Sequence, residues 1–400
     1  MKFLRNYLNK VKPSFEEGGK LHAFRSLFDG FETFLFVPND TSKNGVNIHD
    51  AIDSKRIMSI VVISLVPALL LGMYNIGLQN AIAAGVADST SWFSMFLFGL
   101  AVTLPKIVVS YAVGLGIEFT VAQWKKEEIH EGFLVSGILI PMIVPVGCPL
   151  WILALATAFA VIFAKEVFGG TGMNIVNVAL VARAFIFFAY PSVISGDAVW
   201  VATEPVFGLG AAVENVDAYT CATALQYAAN GAPLAGAAPD VVLSTQDMLF
   251  GFMPGSIGET SVVAIAIGAV ILLWTGVASW RIMFSVFAGG ILMAMLFGYT
   301  MPENPVAQIP AWQHLILGGF CFGAVFMATD PVTSARTETG KYIYGLGIGA
   351  MAIIIRVLNP GYPEGMMLAI LLMNVTAPFI DYCVVQSNIS NRAKRLTKKK

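Results

Sequence analysis

Lys55-Arg56-Ile57-Met58-Ser59-Ile60-Val61-Val62-Ile63-Ser64-Leu65-Val66-Pro67-Ala68-Leu69-Leu70-Leu71-Gly72-Met73 passes abruptly from two cations into an apolar run that continues to position 79. About twenty predominantly apolar residues match the ~30 Å hydrocarbon thickness of a bilayer, so the stretch predicts a membrane-spanning helix. The whole chain agrees. Of its 400 residues 56% are hydrophobic and only 12% charged, and the mean hydropathy is +0.73. That composition excludes a soluble globular protein and leaves an all-α polytopic membrane protein in contact with the lipid bilayer. The first fifty residues are polar and basic and hold no apolar core followed by a small-residue cleavage site, so targeting falls to the first span. The formal net charge of −1 hides a strong polarity, since basic residues gather at both termini and in a few short loops, and no nucleic-acid partner is expected. The four cysteines form no CxxC pair, and Cys148, Cys321 and Cys383 read as packing residues.

Working outward from this run, apolar stretches recur at roughly 57–79, 92–119, 131–147, 149–165, 174–194, 261–277, 281–299, 312–329, 342–357 and 365–386. They predict about ten transmembrane helices, and an even number of crossings places both termini on one side. Lys55, Arg56, Lys125, Lys126, Lys165, Arg281, Arg336, Lys341 and the tail from Arg392 to Lys400 all fall in alternate loops. Basic loops stay in the cytoplasm, so both termini are expected there. The intervening loops 80–91, 195–260 and 301–311 carry neither Lys nor Arg. The expected organisation is an amphipathic cytoplasmic arm (1–56), a first five-helix unit (57–194), an extracytoplasmic loop (195–260), a second five-helix unit (261–387) and a basic cytoplasmic tail (388–400).

Lys106, Arg183 and Arg356, together with Glu118, Glu131, Asp330 and Asp381, lie within or beside apolar runs. A charge at the bilayer centre costs about 3 kcal/mol even on the lenient insertion scale, so such groups pair, line a polar path or snorkel from a helix end. The two halves also echo each other. Gly132-Phe133 and Gly172-Met173 mark the third and fifth runs as Gly319-Phe320 and Gly365-Met366 mark the eighth and tenth, and Ser261-Val262-Val263 echoes Ser59-Ile60-Val61. Five spans per half is an odd number, so the second copy is expected to be inverted. Inverted repeats place a substrate or ion path at the midplane where helices are interrupted, here expected between Pro141 and Pro149 and at Asp330-Pro331.

Within the long loop stands Asp217-Ala218-Tyr219-Thr220-Cys221-Ala222-Thr223-Ala224-Leu225. By itself this is a short polar loop. Its pattern of Asp, then Ser or Thr, then Ala-Thr resembles the signal at which a flavin transferase joins FMN through its phosphate to the last threonine, here Thr223. Further segments carry the likeness along nearly the whole chain: Gly170-Thr171-Gly172-Met173-Asn174, Ala182-Arg183-Ala184-Phe185, Pro254-Gly255-Ser256-Ile257-Gly258-Glu259, Met327-Ala328-Thr329-Asp330-Pro331 and Tyr362-Pro363-Glu364-Gly365-Met366-Met367. Together they resemble the NqrB family, the flavin-bearing membrane subunits of the sodium-pumping NADH:quinone oxidoreductases of bacterial inner membranes. One position departs from the pattern. The family has Gly before the Ala-Thr pair, whereas Cys221 here narrows the backbone conformations available.

The resemblance implies a translocase subunit that carries electrons through covalent FMN on Thr223, with Asp217 and Thr220 in the signal, and through a non-covalent riboflavin to quinone. It also implies coupling to Na+ export and assembly with the other subunits of the complex. Asn174 and Asn177 become candidate contacts of the riboflavin ring, since an amide supplies both donor and acceptor; hydrogen bonding between helices is the competing reading. Sodium takes hard oxygen ligands, which selects Asp330, Asp381 and Glu131 as candidates for its path. Phe322 and Phe326, at i and i+4 ahead of Asp330, match phenylalanines that form an apolar gate in the family, with plain helix packing as the alternative. The arm contributes to the quinone headgroup site in the family, and His22 is a candidate contact. Two other readings remain open: the RnfD component of the related Rnf complex, which exchanges electrons with ferredoxin and NAD, and a secondary transporter without redox centres. The basic arm and the Tyr-Pro-Glu-Gly-Met-Met segment favour the NqrB family.

Overall fold

The computed structural model describes residues 2–15, 28, 32, 45–46, 54–125, 132–194, 199–213, 222–234, 243–359, 361 and 363–397. Among these residues the regular structure is helical, and the only β pairing is an isolated bridge between Val206 and Leu209. Apart from the four-residue helix Pro191–Ile194 and short 3-10 turns, the helices are α1 (Lys2–Val11), α2 (Ser54–Ala83), α3 (Trp92–Lys125), α4 (Phe133–Ile143), α5 (Leu150–Ala160), α6 (Val178–Ala189) and α7 (Ala224–Ala229). They continue with α8 (Thr245–Phe250), α9 (Val262–Trp274), α10 (Trp280–Thr300), α11 (Ala311–Ile316), α12 (Glu338–Leu358) and α13 (Met366–Thr397). Two π-helical turns among the described residues interrupt the pattern, Val161–Lys165 directly after α5 and Gly323–Met327 after a single helical turn at Phe320–Phe322.

Among the described residues six helices are long and apolar enough to cross a membrane: Arg56–Ala83, Trp92–Lys125, Leu150–Phe168, Trp280–Thr300, Glu338–Leu358 and Met366–Arg395. The 21 residues of α10 reach about 31 Å at ~1.5 Å per residue, the thickness of the hydrocarbon. Three of the other apolar runs form the shorter helices Phe133–Ile143, Val178–Ala189 and Val262–Trp274, and the run at 312–329 breaks between α11 and the second π turn. The outward faces are apolar, with Ile63, Val108, Trp151, Val270, Phe284 and Phe379 among the exposed side chains. Trp92 and Trp124 stand exposed near the two ends of α3, and Trp280 and Tyr299 near those of α10. Amphipathic rings in these positions suit the boundary between lipid and water.

Where helices meet, small residues let the backbones approach. A Cβ on Gly77 of α2 would lie 2.0 Å from the Met95 carbonyl oxygen, and one on Gly99 of α3 would lie 1.7 Å from that of Met73. In lipid, where no apolar contrast drives association, such close packing is what holds helices together.

The interrupted helices raise a harder problem, because the buried carbonyls that a break releases need donors within the protein. At the end of α4 the chain turns extended at Val144, between Pro141 and Pro149 as the sequence predicts. There the Met142 carbonyl accepts from the Gly258 amide at 2.8 Å, and Ile143 accepts from Ser256 Oγ at 3.3 Å. Lys106 Nζ of α3 donates to the carbonyls of Pro145, at 3.0 Å, and Val146. The break after α11 is closed the same way. Arg356 of α12, fully buried, donates to the carbonyls of His314 at 2.6 Å and Leu317 at 3.2 Å. Arg356 therefore does not snorkel; its charge is spent inside the protein.

Two expectations are corrected. Lys165, read from the sequence as a loop cation that marks the cytoplasmic side, is 4% exposed and ion-paired with Glu118. The π turn draws it inward, so it is no guide to orientation. Cys383 is exposed on α13, unlike the buried Cys148 and Cys321, because the last helix turns that side chain away from the bundle. Substituting Gly99→Leu should lower the melting temperature of the detergent-purified protein by several degrees, since overpacking costs about 1–3 kcal/mol. Gly116→Leu, on an open face of the same helix with nothing within 4 Å of its Cβ position, should leave it unchanged; equal melting curves for both variants would refute the close-approach role.

Candidate functional site

Among the described residues two clefts open beside the broken helices. The first, of about 670 Å³, is lined by residues that include Thr223, Gln226, Glu259, Thr260, Gly318 and Glu364. Thr223 is the N-cap of α7. Its backbone is extended (φ −72°, ψ 155°), which turns Oγ1 to accept from the Gln226 amide at 3.3 Å. That bond uses a lone pair and leaves the hydroxyl hydrogen, half-buried on the cleft, outside the cap. Thr260 also lines the cleft, and its buried hydroxyl oxygen has no hydrogen-bond partner among the described residues.

Two carboxylates of this cleft share one arginine. Arg183 of α6 donates from Nη1 to Glu259 Oε1 at 2.5 Å and from Nη2 to Glu364 Oε2. Arg183 is 1% exposed and Glu259 4%. Burial, the largest influence, pushes the Glu259 carboxyl well above its ordinary value; Arg183 pulls it down, and the neighbouring Glu364 charge pushes it up again. Burial and the neighbouring carboxylate thus favour keeping a proton on Glu259. The cluster joins α6 of the first half to the loop before α9 and to the turn before α13.

The second cavity, of about 770 Å³, brings Asn174, Asn177, Asp330, Lys165 and Phe326 to one apolar space walled by residues such as Leu139 and Leu272. Asn177 serves two purposes. Its Oδ1 caps α6 by accepting from the amides of Ala179 and Leu180, at 3.0 and 3.3 Å, while Nδ2 reaches Asp330 Oδ2 at 3.4 Å. Asp330 also accepts from the Val332 amide at 3.1 Å and from Thr333 Oγ1 at 3.0 Å, since Pro331 has no N–H to offer. Asn174 donates locally, to the Val176 carbonyl at 3.1 Å. The rings of Phe322 and Phe326 lie 5.0 Å apart, Phe326 on this cavity and Phe322 packed near Gly258, next to the Glu259 of the first cleft.

Asp381 stands elsewhere. It accepts from the amides of Arg336 and Thr337 and from Thr337 Oγ1, fixing the chain into α12. His22, Glu131, Asp217, Thr220 and Cys221 lie outside the described residues. Among the described residues no three His, Cys, Asp or Glu side chains group as a resident metal centre. Sequence reasoning places Glu259 and Glu364 in motifs without a role, and it misses Glu118 as the partner of Lys165; their only signal is the apolar setting of the charges they neutralise.

Fold and clefts together define a class, a multi-pass helical membrane protein with polar sites at its helix breaks. A family model described as the NQR2, RnfD, RnfE family matches residues 41–390, and the chain belongs to that family. It is 44% identical over 412 residues to the B-type subunit of the Na(+)-translocating NADH-quinone reductase of Chromohalobacter salexigens, covering 98% of this chain and 96% of the relative. It is 43% identical to the protein of the same description from Klebsiella pneumoniae subsp. pneumoniae, covering 98% and 99%, and 42% identical to that of Azotobacter vinelandii, again covering 98% and 99%.

The shared arginine generates a test. Arg183→Met strands two carboxylates and should cost about 3–5 kcal/mol of stability, visible as a large drop in melting temperature that Glu259→Gln partly recovers. Because the folded Glu259 carboxyl sits above its ordinary value of 4.5, its stabilising contribution is complete below that pH and is lost as pH rises through the folded value. Stability of the unmodified protein should therefore fall more steeply with rising pH than that of Glu259→Gln, and parallel profiles would count against a buried, proton-retaining Glu259.

Proposed function

We propose that this chain is the membrane subunit of a sodium-pumping NADH:quinone oxidoreductase, a translocase that passes electrons to quinone and moves Na+ across the bacterial inner membrane. The observation that carries the reading is the convergence of Asn174, Asn177, Asp330 and Phe326 on one cavity, in a chain whose curated relatives bear that description over 98% of its length. These relatives favour the oxidoreductase over the Rnf reading and over a transporter without redox centres.

The cavity fits a non-covalent riboflavin. Its walls are largely apolar, and its amides and carboxylate supply the few polar contacts that orient a ring. Thr223, with its hydroxyl on the first cleft, is the site for FMN joined through a phosphoester, and Asp217 and Thr220 complete the signal read by a flavin transferase. When bound, the flavins supply one- and two-electron transfer. The protein's part is to hold them, exclude water and tune their potentials. Asp330, kept at the cavity by Thr333, Val332 and Asn177, is the leading sodium ligand, while Asp381 and Glu131 serve further along the path. Phe322 and Phe326 close the space between the two clefts as an apolar constriction. The basic arm, including His22, lies on the quinone side, and other subunits deliver the electrons. Ten crossings in two inverted five-helix repeats, with both termini cytoplasmic, is the topology that accommodates these roles, the shorter helices crossing as pairs with the loops they pack on.

Thr223→Ala should abolish in-gel flavin fluorescence of the denatured chain while membrane insertion continues. Fluorescence that survives in this variant and disappears in Thr220→Ala would move the attachment site. For coupling, Asp330→Asn in the assembled complex should raise the sodium concentration for half-maximal quinone reduction several-fold with covalent flavin content unchanged; an unaltered sodium response removes Asp330 from the path.

A further inference from the structure

The two described π turns, far apart in sequence, present side chains to the same cavity. Val161–Lys165 ends on Lys165 and Gly323–Met327 contains Phe326, and both residues line the space shared by Asn177 and Asp330. A π turn carries an extra residue at the expense of regular hydrogen bonding, and such turns concentrate at functional sites because they aim a side chain that an α-helix would direct elsewhere. Here the first turn aims a cation. Lys165 is 4% exposed, its ammonium is ion-paired with Glu118 of α3, and it lies 6.0 Å from the centroid of the Phe133 ring. Glu118 is itself 5% exposed. Next to Lys165, Glu166 pairs with Lys125 at 3.8 Å, and its charge also bears on Glu118.

A buried ion pair of this kind adds little to stability, because desolvation offsets the attraction, and two apolar side chains would fill the place as well. What the pair does provide is a positive group set at the wall of the cavity, with its counter-charge on another helix. Beside an electron acceptor such a group has a defined consequence. One-electron reduction of a bound ring adds one negative charge, and a cation at the cavity wall stabilises that charge more strongly than water would, since the surroundings are apolar and already oriented.

We propose that Lys165, positioned by Glu118, is the charge-compensating residue of this cavity and raises the reduction potential of the flavin bound there. The inference rests on the reading of the cavity as the non-covalent riboflavin site. The electron comes from the NADH-driven chain of the complex, the ring gains one negative charge, and Lys165 remains protonated throughout, so no proton need cross with the electron. Asp330, across the same cavity, opposes the effect, and the balance between these two groups sets the potential.

The test uses the purified complex carrying Lys165→Met, Lys165→Arg or Glu118→Gln, with extractable riboflavin content and spectroelectrochemical titration of the non-covalent flavin as readouts. Lys165→Met should shift the reduced-to-oxidised ratio at fixed poise about tenfold toward oxidised, equivalent to about 59 mV more negative for a one-electron couple. Lys165→Arg should restore most of the shift, and Glu118→Gln, which leaves the cation uncompensated, should move the potential the opposite way. Loss of riboflavin in Lys165→Met with retention in Lys165→Arg also supports the proposal. If Lys165→Met alone does not assemble, Lys165→Met with Glu118→Gln removes the pair without stranding a charge and should titrate below Glu118→Gln alone. Full riboflavin content with an unshifted potential in Lys165→Met overturns the proposal. Asn177→Leu separates the two levels of the argument. If it too leaves riboflavin content and potential untouched, the flavin is not in this cavity and the site reading fails; if it alters them while Lys165→Met does not, only the role of Lys165 fails.

Discussion

Buried backbone carbonyls released at a helix break must find donors within the protein, and this molecule meets that demand with buried cations. An isolated polar group in hydrocarbon costs several kcal/mol, so an interrupted helix is tolerated only when something occupies its open end. Lys106 serves the break after α4 and Arg356 the break after α11. Each cation sits on a long neighbouring helix, so the pieces that cannot span by themselves are tied to pieces that can. The loop from Pro254 to Glu259 completes the first repair through the Gly258 amide and the Ser256 hydroxyl.

Both clefts follow from those repairs. Holding the loop onto the end of α4 carries Glu259 to Arg183, and the turn that presents the Glu364 carbonyl to Arg356, at 3.3 Å, directs the Glu364 side chain to the same Arg183. The first cleft is the space left around this cluster. The second forms where the helical path after the π turn ends before Pro331 and Asn177 begins α6, so an N-cap and a helix end meet at the edge of an apolar volume. The polar lining of both clefts thus gathers where regular helix stops.

Much of this is legible in the sequence, and the remainder is not for identifiable reasons. The apolar run at 57–79 and its counterparts locate the helices, because a bilayer selects length and composition directly. The prolines from 141 to 149 mark the first break, since each denies the helix a donor. The run at 312–329 looks continuous because Gly318 and Gly319 do not interrupt its apolar character, although Gly318 adopts φ +65°. The charges at 106, 183 and 356 announce that partners exist, but Asn177 meets Asp330 across 153 positions and Arg183 meets Glu259 across 76, and no local pattern encodes such pairs. Lys165 misleads because a basic residue at the edge of an apolar run looks the same whether it reaches water or turns back on a π turn. Thr223 stands out through resemblance alone; its capping geometry is that of many threonines.

The span between Arg183 and Glu364, 181 positions, also bears on how the protein is made. The ribosome delivers α6 to the membrane long before the second carboxylate exists. At about 5–20 residues per second, synthesis of the intervening chain takes roughly 10–40 s. For that interval the arginine must wait with part of its charge unmatched, at the protein-conducting channel, at a helix end or against an assembly factor. The first half therefore cannot reach its final packing as an independent unit, and completion of the bundle becomes a late event that closes only after the turn before the last helix has emerged.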